Sequence, residues 1–242
     1  PAELARSSPP LWKRIARQVI ELNIVRIPPL PPGKLLEIGC ASGAFLHRMA
    51  SQGWQVKGIE FSETAATSAR SLGYPVYSGS LDTAPDDGER YDLIVGWMVL
   101  EHLPNPIEAL RKLRRWAGPD GWLALSVPNA ASLEFSLFNN KWYALQLPNH
   151  LYHYTPQTLA RVLELGGWQS ERIFYQRDVD NVVASLGYLL EDRKLFPGLA
   201  QKLSTYPAER GRKYVALLPL SYLLSSIGQT GRITVWARPL ND

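Results

Sequence analysis

Lys34-Leu35-Leu36-Glu37-Ile38-Gly39-Cys40-Ala41-Ser42-Gly43-Ala44-Phe45-Leu46 is the stretch that decides the fold of this chain. An apolar strand ends in Glu-x-Gly-x-x-x-Gly, and an apolar helix begins directly behind the second glycine. Strand, tight glycine turn and helix N-terminus are what a nucleotide-like cofactor needs at the edge of a parallel sheet. Gly39 and Gly43 remove side chains where backbone must turn sharply or approach a ligand. The spacing is neither the Gly-x-Gly-x-x-Gly of dinucleotide sites nor a phosphate loop, whose Gly-Lys-Ser/Thr ending is missing. No lysine or arginine between Glu37 and His47 answers a pyrophosphate. The turn suits a cofactor with a ribose and no phosphate, which points to S-adenosylmethionine.

The next segments extend the pattern. Trp54 to Ser62 holds a short strand ending in the acid Glu60, where nucleotide folds place a carboxylate on the ribose hydroxyls. A helix follows at Glu63 to Leu72, then a third apolar piece at Pro75 to Leu81. A fourth strand, Tyr91 to Gly96, leads into Trp97-Met98-Val99-Leu100-Glu101-His102-Leu103. Then come a helix at Pro106 to Trp116, a Gly-Pro-Asp-Gly turn at 118–121 and a fifth strand, Trp122 to Val127. Strands alternating with helices predict an α/β fold with a doubly wound, mostly parallel seven-stranded sheet.

With these residues in place the chain resembles the class I S-adenosylmethionine-dependent methyltransferases. It is most similar to the small-molecule group that includes the ubiquinone-biosynthesis type of O-methyltransferase. Besides the glycine turn, two motifs carry the resemblance. One is Tyr91-Asp92-Leu93-Ile94 followed by Val99-Leu100-Glu101-His102-Leu103-Pro104-Asn105-Pro106. The other is His150-Leu151-Tyr152-His153-Tyr154-Thr155-Pro156 with Leu159 and Leu163 to Trp168. The match runs from about Gly33 to Trp168, and Ile233 to Arg238 reads as the last strand.

The resemblance implies roles. Glu37, Gly39, Cys40, Ala41 and Gly43 would form the turn beside the methionine and ribose, and Glu60 would hold the ribose hydroxyls. Phe61 would lie on the adenine face, Ser80 and Leu81 at its edge, and Trp97 beneath the cofactor. Two positions depart from the common pattern. Ser80 stands where many relatives carry an aspartate, so that Asp82 or a hydroxyl must serve, and Met98 stands where many carry an acid.

At 242 residues and 45% apolar content the chain is expected to be one domain with an elaboration. The net charge of +4 is modest. Basic residues at Arg111 to Arg115 and Arg193 to Lys213 read as solvated helical faces rather than a nucleic-acid footprint. The lone Cys40 cannot form an internal disulfide, which fits a reducing compartment and a cytoplasmic location. A catalytic thiol is not expected, since no motif places a base beside it. No apolar run approaches the roughly 20 residues that span a bilayer.

Four segments follow. Residues 1–32 hold an amphipathic helix (Leu11, Trp12, Ile15, Val19, Leu22) and a stiff proline linker, the helix either covering the cofactor or packing on the core. Residues 33–178 form the core, including an aromatic loop at 129–149 read as a lid, because long loops at strand ends are commonly binding loops. Residues 179–230 insert two or three helices, near 179–191, 195–206 and 210–226, as a substrate wall or homodimer contact. Contact with a membrane surface through 214–228 is a weaker alternative, because apolar and basic residues do not occupy opposite faces of one helix. A sixth strand is expected at Glu171 to Tyr175, and residues 231–242 supply the last strand and tail.

Methyl transfer asks the protein mainly to align an acceptor with the cofactor. An oxygen acceptor also needs its proton removed, and histidine is the usual base near neutral pH. Of His47, His102, His150 and His153, the first is expected to be a packing or outward residue. His150 is the first choice as base and His102 the second. His153, with Trp142 and Tyr143 of the aromatic loop, is a candidate substrate contact. Thr155 is the expected N-cap and Pro156 the first residue of the following helix. No metal is expected, since two histidines without a neighbouring carboxylate or thiol cluster make poor evidence for one. The expected function is methylation of a small molecule at oxygen, with no nucleic-acid partner. Two alternatives are an RNA or protein methyltransferase and a non-catalytic cofactor-binding scaffold.

Overall fold

The computed structural model describes residues 26–206 and 214–240. The amphipathic helix expected near 11–22 lies outside them. Seven strands form one sheet: β1 (Lys34–Ile38), β2 (Gln55–Glu60), β3 (Val76–Ser78), β4 (Tyr91–Trp97), β5 (Ala117–Pro128), β6 (Trp168–Tyr175) and β7 (Arg232–Pro239). Their order is β3-β2-β1-β4-β5-β7-β6. Strands β1 to β5 pair in parallel, and β7 runs antiparallel to both β5 and β6. This is the doubly wound sheet that the alternating pattern predicts.

Eight helices flank it among the described residues: α1 (Ala44–Ala50), α2 (Glu63–Ser71), α3 (Pro106–Trp116), α4 (Leu133–Phe138), α5 (Pro156–Leu165), α6 (Asp180–Asp192), α7 (Pro197–Ser204) and α8 (Tyr214–Ser226). Alternation along the central strands feeds two cores. Leu36, Ile94, Leu123 and Leu125 face Leu110, Leu113, Leu159 and Leu163 of α3 and α5. Leu35, Leu93 and Val95 join Leu46, Met49 and Trp54 on the other side. Helix α3 begins at Pro106 as expected, and a capping box of Thr155 and Thr158 starts α5.

Several boundaries differ from the sequence reading. The third strand is only Val76–Ser78, which leaves Ser80 and Leu81 in a loop. The Gly-Pro-Asp-Gly segment is part of β5 rather than a free turn, with a register shift between Tyr91 and Leu93 on the neighbouring β4. The sixth strand starts at Trp168, because the indole is fully buried and donates to Leu110 O at 2.9 Å. The aromatic segment 129–149 contains α4 and two short 3₁₀ turns at 139–141 and 143–145.

Candidate active site

The glycine turn joins β1 to α1 through three left-handed residues, Gly39 (φ 69°), Ala41 (φ 47°) and Gly43 (φ 82°). Space as well as torsion demands glycine here. A Cβ at Gly39 would lie 2.6 Å from Val99 Cγ2, and one at Gly43 would lie 2.9 Å from Ala69 Cβ. Gly39 N and Cys40 N both donate to Ile59 O, at 2.8 and 3.2 Å, which ties the turn to the end of β2.

Glu60 completes that tie. Its Oε2 accepts from Ala41 N and its Oε1 from Ser62 N, each at 2.8 Å. A carboxylate has about four acceptor sites, so two such bonds leave it able to accept from hydroxyls. Phe61 is 80% exposed, an aromatic face with nothing over it. Beside them opens a cavity of about 430 Å³ lined by Gly39, Glu60, Phe61, Ser80, Leu81, Asp82 and His102, with Val99, Leu103 and Pro104. Asp82, the expected stand-in for the missing aspartate at position 80, does lie at this cavity beside Ser80.

Glu37, Cys40 and Trp97, also expected at the cofactor, are not among the residues that line this cavity. Glu37 is 2% exposed and its Oε2 has no hydrogen-bond partner. Burial, reinforced by the charge of Glu60 and opposed by Arg48, pushes its carboxyl up to about 8. Cys40 points into the core beside Leu46 and Gly58, so it offers the turn only its backbone. Its thiol is pushed up to about 12 by burial and by Glu37 and Glu60, which excludes a reactive thiolate near neutral pH. The Trp97 ring meets Phe45 edge to face at 5.3 Å, and its buried Nε1 has no partner.

These features fit S-adenosylmethionine. A buried unpartnered carboxylate oxygen at Glu37 suits a cationic amino group, Glu60 suits ribose hydroxyls, and Phe61 suits a flat base.

The methyl-transfer side is built after β4. Met98 takes φ 57°, rare for a side chain of its size, and turns the chain so that 99–103 borders the cavity. The exposed ring of His102 lines the cavity, and its Nδ1 lies 3.0 Å from Asn149 O. His150 is buried behind it, with Nδ1 2.7 Å from Ala144 O. A carbonyl only accepts, so both Nδ1 atoms carry hydrogen and each neutral ring keeps Nε2 as an acceptor. The two rings meet edge to face, 4.7 Å apart. Burial is the main cause that lowers the His150 pKa. His153 Nε2 lies 3.0 Å from Leu145 O, and His47 pairs with the Tyr74 hydroxyl at 2.7 Å, away from the site.

Glu101 directly precedes His102 in the same motif. It is fully buried, and neither carboxylate oxygen has a hydrogen-bond partner. Burial pushes its carboxyl up to about 7. Glu101, His102 and His150 each bring one oxygen or ring nitrogen within 4.8 Å of the others. The fold thus sets a carboxylate beside two histidines, a neighbour that spacing along the chain does not reveal for His150.

The aromatic segment is laid onto the core. Trp142 is 1% exposed, packs on Phe135 at 5.2 Å and donates from Nε1 to Glu134 Oε2 at 3.4 Å. Tyr143 meets Tyr188 of α6 at 5.8 Å, and its backbone N–H donates to Ser185 Oγ at 2.8 Å. Neither ring borders the cavity described above. Sequence reasoning missed Glu134, whose buried carboxylate also accepts from Gly231 N at 2.9 Å, and the Arg232–Asp178 pair at 3.1 Å. Their partners come from the far end of the chain, so no local pattern could mark them.

A glycine turn after β1, an acid at the end of β2 and an antiparallel β7 in a seven-stranded sheet define a class I S-adenosylmethionine-dependent methyltransferase. The methyltransferase-domain family model matches residues 12–172, and the chain belongs to that family. It is 30% identical over 159 residues to a ubiquinone biosynthesis O-methyltransferase of Thiobacillus denitrificans, covering 60% of this chain and 68% of the relative. A ubiquinone biosynthesis O-methyltransferase of Xanthomonas campestris is 27% identical over 164 residues, covering 64% of this chain and 67% of the relative. Among solved structures, an S-adenosylmethionine-dependent methyltransferase from Mesorhizobium loti superposes with a TM-score of 0.55 at 17% identity, covering 93% of this chain and 96% of that one. One from Thermotoga maritima gives 0.58 at 18% identity, covering 93% and 92%. The chain is thus an enzyme that methylates a small molecule with S-adenosylmethionine, related at family level to the ubiquinone-type O-methyltransferases.

Proposed function

We propose that the methyl acceptor is an oxygen and that His102 is its general base. The observation that carries this is the His102 ring at the cavity, Nδ1 held by Asn149 O and Nε2 left to accept a proton. His150, the first choice from sequence, is enclosed behind it. Relatives named as O-methyltransferases support the same acceptor atom. S-adenosylmethionine supplies an activated methyl group on a sulfonium, and the protein's part is to bind, orient and deprotonate. Glu60 takes the ribose hydroxyls, Phe61 covers the adenine, Ser80 and Asp82 meet its edge, and Glu37 faces the amino-acid end.

The basic residues of α3 are engaged within the chain, which supports a small acceptor over a nucleic acid. Lys112 donates to Asp82 O and Ala84 O at 2.7 and 2.6 Å, and Arg114 to Leu240 O at 3.1 Å. The exposed Leu220, Tyr222, Leu223 and Ile227 of α8 and its end support contact with a second copy or a membrane surface. Sedimentation and flotation with anionic vesicles separate those two. No helix among the described residues is long and apolar enough to cross a membrane. We place the enzyme in the cytoplasm on the strength of its single unpaired cysteine.

The test is a paired screen of hydroxyl and amine acceptors, read as S-adenosylhomocysteine formed. Hydroxyl acceptors should turn over and lose turnover in His102→Gln. Turnover confined to amines, or unchanged in that variant, would overturn the reading.

A further inference from the structure

A second cavity, of about 410 Å³, lies against the same sheet, with no residue of the glycine turn and no histidine in its lining. The connection from β3 to β4, residues 79–90, contains no helix. Leu36 and Ile59 of the sheet therefore share this cavity with loop residues Ala84 and Pro85 and with Trp116 at the end of α3. Protein interiors rarely leave such space unfilled, and the volume falls within the range of small-molecule sites.

The charged groups of the lining are already matched. Lys57 pairs with Asp87, while Arg70 donates to Val76 O at 3.2 Å and to Glu63 Oε1 at 3.1 Å. The orphan is Tyr91. It is 4% exposed, and its hydroxyl makes no hydrogen bond among the described residues. A buried hydroxyl left that way is costly unless an acceptor reaches it. Burial, joined by Asp87, Glu89 and Asp86, raises the phenol above its usual range and keeps it a neutral donor. The rings of Trp116, Tyr74 and Tyr77 also line the cavity.

This cavity and the cofactor cavity share a wall. Ile59 lines both. Gly79, Ser80, Leu81 and Asp82 border the cofactor side, and Ala84 and Pro85, directly after them, border the other. The Tyr77 hydroxyl donates to Thr83 O at 3.2 Å, and Thr83 N donates to Ser80 Oγ at 3.3 Å. A molecule held against Tyr77 and Ala84 thus bears on the residues at the adenine edge.

We propose that this second cavity is an effector site for a small neutral aromatic molecule carrying a hydrogen-bond acceptor, and that its occupancy tightens S-adenosylmethionine binding. The ring packs among Trp116, Tyr74 and Tyr77, and a carbonyl or ether oxygen accepts from the Tyr91 hydroxyl. A carboxylate is disfavoured, because Asp87 stands in the lining and already engages Lys57. The ligand holds 79–85 where Ser80 and Asp82 meet the adenine, and linkage makes the effect reciprocal.

The experiment uses the full chain and three probes of similar shape: acetophenone, ethylbenzene and benzoate. NMR titration reads affinity, and NOEs read location. We expect acetophenone to bind with a dissociation constant on the order of 1 mM, as its size allows, with NOEs to Trp116 and Ile59. Benzoate should bind more weakly. In Tyr91→Phe the affinity ratio of acetophenone to ethylbenzene should fall about fivefold, the worth of one neutral hydrogen bond. Ala84→Leu, which fills the cavity, should weaken both probes by about tenfold or more. Saturating acetophenone should tighten S-adenosylhomocysteine about fivefold by calorimetry. No acetophenone binding to the wild type overturns the proposal outright. An unchanged ratio in Tyr91→Phe, benzoate bound more tightly than acetophenone, or NOEs to Phe61 and His102 instead of Trp116 overturns the ligand site. Cofactor affinity that stays put or falls under saturating acetophenone overturns the coupling. If Ala84→Leu does not fold, the Tyr91→Phe ratio and the NOEs decide.

Discussion

The half of the sheet built from β1 to β4 and the half built from β5 to β7 hold their polar groups in opposite ways. At the first, Glu60 and Ser80 are half-buried and Phe61 and Asp82 exposed around an open cavity, with bonds to near neighbours such as Ala41 and Ser62. At the second, Asn129, Glu134, Asp178 and Thr234 are all buried. Their partners lie far along the chain: Asn129 Nδ2 donates to Thr230 O at 2.9 Å, and Gln176 Nε2 to Thr234 Oγ1 at 2.7 Å. His102 and Glu101 sit at the seam. The open half suits a ligand that enters and leaves each turnover. The closed half is a rigid wall, in which an unpaired polar group would be expensive.

This contrast can be broken by experiment, and the seam gives the largest effect. His102→Gln should lower turnover by about 10²- to 10⁴-fold, the usual range for a lost general base. Calorimetric affinity for S-adenosylmethionine should stay within about twofold; a parallel loss would mean the halves are coupled. Next comes the wall. Trp142→Ala should cost roughly 3–5 kcal/mol of unfolding free energy in urea, because a fully enclosed aromatic leaves a cavity and orphans Glu134 Oε2. An unchanged denaturation midpoint with a raised acceptor KM would instead make the aromatic segment a lid.

On the open side, Glu60→Ala should weaken S-adenosylmethionine binding on the order of 100-fold, about 2–3 kcal/mol, by removing charge-assisted bonds. Its thermal midpoint should move far less than that of Trp142→Ala.

A smaller effect comes from pH. Glu37, Glu101 and Glu134 are raised by burial from 4.5 to about 8, about 7 and about 7. The folded chain therefore holds more protons than the unfolded one above pH 4.5. That contribution to stability is complete below 4.5 and is lost as pH rises through the folded values. Scanning calorimetry without cofactor should show the midpoint falling between pH 5 and 8. With S-adenosylmethionine, whose amino group favours ionised Glu37, the fall should be shallower and binding should release a proton. The smallest effect belongs to the surface: Lys141→Ala, which breaks the 2.5 Å pair with Asp192, should change stability by less than about 1 kcal/mol.

The open half was legible because its chemistry is local. The turn, Glu60 and the strand–helix alternation are written in contiguous residues, since strand period, glycine torsion and helix capping act over a few positions. Thr155 and Pro156 start α5 as the sequence implies, for the same reason. The aromatic segment is less legible, for the opposite reason. Phe135, Trp142 and Tyr143 look like a lid when only their aromatic content is seen. Whether they face ligand or core depends on Glu134, Gly231 and Ser185, which no short-range rule connects to them.

By itself, then, the sequence determined the doubly wound sheet, the cofactor turn with its acid, and the motif that carries the histidines. Only the tertiary structure decided which histidine reaches the cavity, that Glu101 lies sealed against His102 and His150, and that Trp142 closes a core. Those outcomes depend on exclusion of water by segments distant in sequence, and burial of that kind raises the proton affinity of Glu101 and Glu134.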